Sequence, residues 1–261
     1  MHIEGNFKGL GGLNLYYQSW LPSDEPKAVL LLAHGFAEHS GRYSHMADYF
    51  VERKYAVYAL DHRGHGRSEG ERVHVEQFSD YVDDLKTFFD IVQKENPGKQ
   101  IFLIGHSMGS AITLLYTARY QDELAGMVTS GGGINTEGEA PQQRRPEGQA
   151  LPTDFLSRDP AVIEAYVNDP LVYRGPVPTR LGSMMSDVAA AVSMIALPAL
   201  IMAGNDVADG ARSQTLFEKL GSRDKTLKRY DGLRHEIFNE PEKLQVFADL
   251  EAWLENHLES K

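Results

Sequence analysis

Short apolar runs alternate with longer segments of helical period along most of the 261 residues. The run Ala28-Val29-Leu30-Leu31-Leu32-Ala33 contains no polar position, which fits a strand buried on both faces. A helix is predicted around Tyr43 to Arg53, and a second buried strand at Ala56 to Leu60. From Phe78 to Glu95, the residues Phe78, Val82, Leu85, Phe88, Phe89 and Val92 fall on one helical stripe, and Asn96-Pro97-Gly98 stops that helix. Ile101-Phe102-Leu103-Ile104 then reads as a strand and Ser110 to Tyr116 as the start of a helix. Further strands are predicted at Gly126 to Ser130, Ala199 to Ala203 and Thr226 to Tyr230, with a first strand at Leu13 to Trp20. A closing helix runs from Pro241, which suits a first helical turn, to about Leu258. There is no internal repeat. Such alternation predicts an α/β chain with a mostly parallel central sheet and helices on both faces.

The alternation breaks between residues 131 and 182. There the composition turns to Gly, Pro, Gln, Arg and Glu, most sharply at Glu137-Gly138-Glu139-Ala140-Pro141-Gln142-Gln143-Arg144-Arg145-Pro146. An insertion of that length inside a compact domain predicts a lid, so residues 1–130 and 183–261 form the expected core and 131–182 the inserted lid. Its second half, Leu156 to Tyr173, is expected to be ordered.

Composition narrows the function. The chain holds 37 acidic against 26 basic residues, a formal charge of −11, which disfavours nucleic acid and anionic lipid surfaces as partners. With no cysteine, thiol catalysis, disulfides and Cys-ligated zinc are all excluded. No segment is apolar and long enough to span a bilayer, and the first residues lack the basic start and apolar run of a secretory signal. A cytoplasmic location is expected.

Candidate chemistry begins at Gly105-His106-Ser107-Met108-Gly109, between a predicted strand and a predicted helix. In that context G-x-S-x-G forms a strained turn that lifts a serine hydroxyl clear of the sheet, and its glycines permit the turn. A serine hydroxyl needs a base in reach and an acid that orients the base. After this elbow the acid is expected next and the histidine last. The strand ending at Ala203 leads into Gly204-Asn205-Asp206-Val207-Ala208-Asp209, where Asp206 or Asp209 could serve. The strand ending at Tyr230 leads into Asp231-Gly232-Leu233-Arg234-His235, and His235 is the expected general base. The other histidines lack this place in the order: His39, His45, His62, His65 and His74 are expected at the surface, His34 as loop scaffold, and His106 packed on the sheet. The developing oxyanion needs two backbone donors. Met108, after the nucleophile, supplies one, and Phe36, in the loop opened by His34-Gly35, the other. No metal or organic cofactor is required, since Asp61-His62-Arg63-Gly64-His65 lacks a zinc-protease spacing.

These residues also carry a resemblance over nearly the whole chain. His34-Gly35-Phe36-Ala37-Glu38-His39-Ser40-Gly41-Arg42-Tyr43, Asp61-His62-Arg63-Gly64-His65-Gly66-Arg67-Ser68, the elbow itself, Ser157-Arg158-Asp159-Pro160 and His235-Glu236-Ile237-Phe238-Asn239-Glu240 resemble the monoacylglycerol lipases of the α/β-hydrolase superfamily. The resemblance implies an α/β-hydrolase fold with an inserted lid and cleavage of the ester of a glycerol bearing one acyl chain. It also implies Glu38 and Arg42 as groups lining the polar alcohol end of the substrate. Expected alternatives are a general carboxylesterase or lysophospholipase, or a non-catalytic binding module on the same fold. Two departures stand out. The acid loop is shorter than the family's usual form, with Asp206, nearest the strand end, the preferred acid, and the lid is polar at Gln142 to Glu147, so at most weak membrane association is expected.

Overall fold

The computed structural model describes residues 1–134, 150–176 and 186–258. Eight strands form one sheet, in chain order β1 (His2–Lys8), β2 (Asn14–Trp20), β3 (Ala28–Ala33), β4 (Tyr55–Leu60), β5 (Ile101–His106), β6 (Gly126–Ser130), β7 (Ala199–Gly204) and β8 (Lys225–Tyr230). Their spatial order is β1-β2-β4-β3-β5-β6-β7-β8. Pairing is antiparallel for β1 with β2 and β2 with β4, and parallel from β4 onward. The mostly parallel sheet expected from the alternation is thus present, in the α/β-hydrolase fold that the resemblance implies.

Residue parity explains why the central strands read as unbroken apolar runs. In β3, Val29 and Leu31 enter one core while Leu30 and Leu32 enter the other. In β5, Ile101 and Leu103 face the first core, Phe102 and Ile104 the second. Each strand therefore buries successive side chains on opposite faces of the sheet. The first core is closed by α2 (Ser79–Glu95), whose Val82, Leu85, Phe88, Phe89 and Val92 form the predicted stripe, and by α3 (Met108–Tyr120). The second is closed by α1 (Ser44–Val51) through Met46, Ala47 and Phe50, and by the last helix, which contributes Phe247, Leu250 and Trp253.

Strand β1 falls outside the sequence expectation, which began the sheet at Leu13. Only Phe7 of its seven residues is buried, so this edge strand carries almost no apolar signal. In the insertion, α4 (Pro160–Asn168) starts with Asp159 capping the amide of Ala161 and Pro160 in the first turn. The polar stretch expected at Gln142 to Glu147 lies outside the described residues. After it come α5 (Ser186–Ala191), α6 (Asp209–Lys219) and α7 (Lys243–Asn256).

The sheet order places a switch point beside the elbow. From β3 the chain passes to β4 on one side, whereas β5 leads to β6 on the other, so the loops after β3 and β5 leave adjacent strand ends. Ala33 pairs with Gly105 and His106 with Ser130, which brings the segment after Ala33 to the elbow.

Candidate active site

Ser107 sits between β5 and α3 with φ 53° and ψ −115°, a conformation that side chains other than glycine rarely adopt. Both neighbouring glycines are required by close approach. A Cβ on Gly109 would lie 1.9 Å from the carbonyl oxygen of Ala33, and one on Gly105 would lie 2.2 Å from that of Gly109. The turn is fastened by Ser107 N–H donating to Ser130 O at 2.8 Å and by the Ser110 hydroxyl donating to Gly105 O at 2.8 Å.

The histidine comes from the segment after β8. His235 Nε2 lies 2.9 Å from Ser107 Oγ, and its Nδ1 lies 2.5 Å from Asp209 Oδ2. A carboxylate only accepts, so Nδ1 carries the proton and Nε2 is left to accept the serine hydroxyl. The acid paired with the histidine is Asp209, which corrects the preference for Asp206. Asp206 is exposed and its N–H donates to Leu233 O at 3.1 Å, whereas Asp209 is buried as the first residue of α6. A helix N-terminus favours a negative charge, and the side chains of a first turn lean back toward the preceding loop. Burial alone would push the imidazole pKa of His235 down; the hydrogen bond and charge of Asp209, with the carboxylates of Glu236 and Glu38, outweigh it and raise the pKa above the ordinary histidine value.

Part of the insertion holds the histidine segment. His235 N–H donates to Phe155 O at 3.2 Å and Glu236 N–H to Leu156 O at 2.8 Å, while the Phe155 ring lies 5.1 Å from the imidazole. The fully buried carboxylate of Glu240 accepts from the backbone of Arg158 and Arg234. Ser157-Arg158-Asp159-Pro160 and His235 to Glu240, two separate segments of sequence, are therefore bonded to each other.

One expected oxyanion donor follows the nucleophile in the chain, and the loop carrying the other runs beside it. Met108 is the first residue of α3, so its N–H has no acceptor within the helix. Gly35 runs against the nucleophile, since a Cβ added there would lie 3.2 Å from Ser107 Cβ, and Phe36 follows it. The carbonyl of Gly35, in the same peptide unit as the Phe36 N–H, accepts from His34 Nδ1 at 2.7 Å. His34 Nε2 in turn accepts the N–H of His62 at 3.0 Å. The scaffold role expected of His34 fits these bonds.

The surface placement expected for three histidines needs correction. His39, His62 and His65 are buried rather than at the surface. Burial drives the pKa of His34 and His62 below the ordinary value and that of His65 to about 3. His106 packs 4.8 Å from the His235 ring, and burial together with the neighbouring His235 charge lowers its pKa to about 4. Glu38 and Arg42 are brought together, but turned toward protein groups. Arg42 Nη1 lies 2.5 Å from Glu38 Oε2, and the same guanidinium forms a two-bond fork onto Glu236, with both distances 2.7 Å. Burial works against the Glu38 charge, yet Arg42 and hydrogen bonds such as that from Tyr43 hold its pKa down to about 2. Sequence reasoning gave Glu236 no role, because its partner is 194 residues away.

Fold and site together define a serine hydrolase of the α/β-hydrolase fold. Residues 24–242 match the serine aminopeptidase S33 family, and the chain belongs to it. The chain is 40% identical to a monoacylglycerol lipase of Mycolicibacterium smegmatis over 98% of both chains. It is 34% identical to the human monoglyceride lipase, covering 93% of this chain and 87% of that one. Among solved structures, a monoacylglycerol lipase of Paleococcus ferrophilus superposes with a TM-score of 0.77 at 28% identity, covering 93% of this chain and 99% of the other.

Proposed function

We propose that this chain hydrolyses the ester of a glycerol carrying one acyl chain, through an acyl-enzyme on Ser107. The observation that carries the reading is the line Ser107 Oγ, His235 Nε2, His235 Nδ1, Asp209 Oδ2, with distances of 2.9 and 2.5 Å. The names of its relatives at 40% and 34% identity support the choice of alcohol. His235 takes the Ser107 proton as Oγ attacks the carbonyl carbon, while the amides of Phe36 and Met108 bind the oxyanion. Each such donor is worth roughly 10²- to 10³-fold in rate. The tetrahedral species then collapses, the ester C–O bond breaks, and glycerol leaves with the proton from His235. Water, giving its proton to the same nitrogen, attacks the acyl-enzyme; the acyl–Oγ bond breaks, Ser107 takes that proton back from His235, and the fatty acid is freed. Asp209 keeps the Nδ1 proton in place and stabilises the imidazolium.

Residues 131–182 are the lid in this reading, and of its described residues, 131–134 and 150–176, the second stretch supports that through Phe155 against His235. Among the described residues no helix is long and apolar enough to cross a membrane. The test is labelling with a fluorophosphonate, followed by turnover of monoacylglycerol, diacylglycerol, lysophospholipid and short nitrophenyl esters. Labelling lost on Ser107→Ala, with monoacylglycerol the best of the lipid substrates, is expected. An unlabelled wild-type chain overturns the enzyme reading, and a preference for lysophospholipid overturns the substrate.

A further inference from the structure

We infer that Arg42 is a positioning residue, which through Glu38 and Glu236 ties the loop carrying the Phe36 amide to the segment carrying His235. The inference rests on the roles proposed for Ser107, His235 and Phe36.

Each link is a short bond between buried groups. Gly35 N–H donates to Glu38 Oε1 at 2.6 Å, and the Tyr43 hydroxyl donates to the same oxygen at 2.7 Å. The other oxygen of Glu38 takes Arg42 Nη1 at 2.5 Å, and the guanidinium then forks onto both oxygens of Glu236. Glu236 also accepts from Asn239 Nδ2 at 2.9 Å and follows His235 directly in the chain. Glu38 thus fixes Gly35 from its N–H side, while His34 fixes the Gly35 carbonyl and with it the plane of the Phe36 amide. The side chains of Glu38 and Glu236 are 3% and 4% exposed and that of Arg42 is 10% exposed, so little water competes for these bonds.

Why a planar fork is used follows from what it joins. The two carboxylates sit on loops that are distant in sequence, and an arginine meets one with two parallel bonds and the other with a third. A lysine supplies the charge without that geometry. The Tyr166 ring of α4 lies 4.7 Å from the guanidinium and packs on it from the insertion side. The donor to the oxyanion and the base that serves the nucleophile are consequently referenced to one rigid group, and the spacing between them is what the transition state requires.

Arg42 also lines a cleft of about 300 Å³ together with His39, His45, Asp169 and Lys243, so a contact with the polar end of a substrate is the competing role. The two roles differ in which substrates they affect. Arg42→Lys is measured on a monoacylglycerol and on a short nitrophenyl ester, which has no glycerol end. With the positioning role, kcat falls roughly 10- to 100-fold on both substrates and KM changes less than about threefold. A rise in KM for the monoacylglycerol with nitrophenyl ester turnover unchanged overturns the inference in favour of substrate contact. Unchanged kinetics on both substrates overturn it outright.

Melting curves establish that the variant is folded. If Arg42→Lys does not fold, Glu236→Gln, which keeps one accepting oxygen for the guanidinium, is read on the same two substrates by the same criteria. The fluorophosphonate labelling rate separates this inference from the reading beneath it. A wild-type chain that is not labelled removes both, whereas labelling of wild type and Arg42→Lys at equal rates removes the positioning role alone.

Discussion

His235 Nδ1 lies 2.5 Å from Asp209 Oδ2, and that contact places the acid at the first turn of a helix rather than at the end of a strand. Asp209→Asn replaces an acceptor by an amide and frees the imidazole to take the other tautomer, in which Nε2 carries the proton and no longer accepts from Ser107. A loss in kcat of about 10⁴-fold is expected, with the fold retained. Asp206→Asn alters an exposed side chain and is expected to stay within about threefold of wild type. Steady-state kinetics on a soluble ester decide between them; equal losses would contradict the assignment.

The sequence order Ser, Asp, His narrowed the acid to Asp206 or Asp209, and the choice failed for a local reason. Proximity to the strand end favoured Asp206, but its backbone is tied to Leu233 and the carboxylate that returns toward His235 belongs to the following helix. By contrast, the elbow was legible because its glycines answer steric demands made within a few residues and one neighbouring strand. The central strands were legible because parity fills two cores with one apolar run. Edge strand β1 was not, since a strand with one buried residue leaves no pattern. Nor were the buried histidines or the Glu38, Arg42 and Glu236 chain. Their burial and pairing arise only when loops from β3, β4 and β8 meet, and no spacing in the sequence encodes that meeting.

The raised pKa of His235 sets the acid limb of the pH profile. Only the neutral imidazole can accept the Ser107 proton, and a raised pKa keeps the protonated form present to higher pH. For kcat/KM on a soluble ester, the midpoint of the acid limb is therefore expected above about pH 6.5, the ordinary histidine value. A midpoint below that value would contradict the stabilising effect of Asp209 on the imidazolium.

Acid lability of the fold follows from the opposite shifts. His65 and His106 are held neutral in the folded state, with pKa lowered to about 3 and about 4, while in the unfolded chain each titrates near about 6.5. As the pH falls below about 6.5 the unfolded state binds protons that the folded state does not, so stability drops. Each such group contributes up to about 1.4 kcal/mol per pH unit until its folded pKa is reached. His235 has the reverse sign: its stabilisation is complete below about pH 6.5 and is lost as the pH rises through its folded value. Denaturant unfolding between pH 7 and 4.5 is expected to show the decline, and His65→Gln to flatten it. A slope identical in that variant would remove His65 as a cause.

Gly109→Ala is expected to fail by sterics alone. The added methyl would lie 1.9 Å from the Ala33 carbonyl oxygen and 2.7 Å from that of His34, both backbone atoms at the end of β3. Neither can move freely, because Ala33 is paired with Gly105 of β5 and the His34 side chain is bonded to the Gly35 carbonyl and the His62 N–H. Relief therefore requires α3 to shift away from β3. Such a shift opens the core around Met108, Ala111 and Ile112 and moves the Met108 amide relative to Phe36. A destabilisation of at least about 3 kcal/mol is expected, at the upper end of the cost of overpacking. Should the variant remain folded at low temperature, its fluorophosphonate labelling should still fall with the displaced oxyanion donors. Wild-type stability and labelling together would show that the contact between the elbow and β3 is looser than the 1.9 Å approach requires.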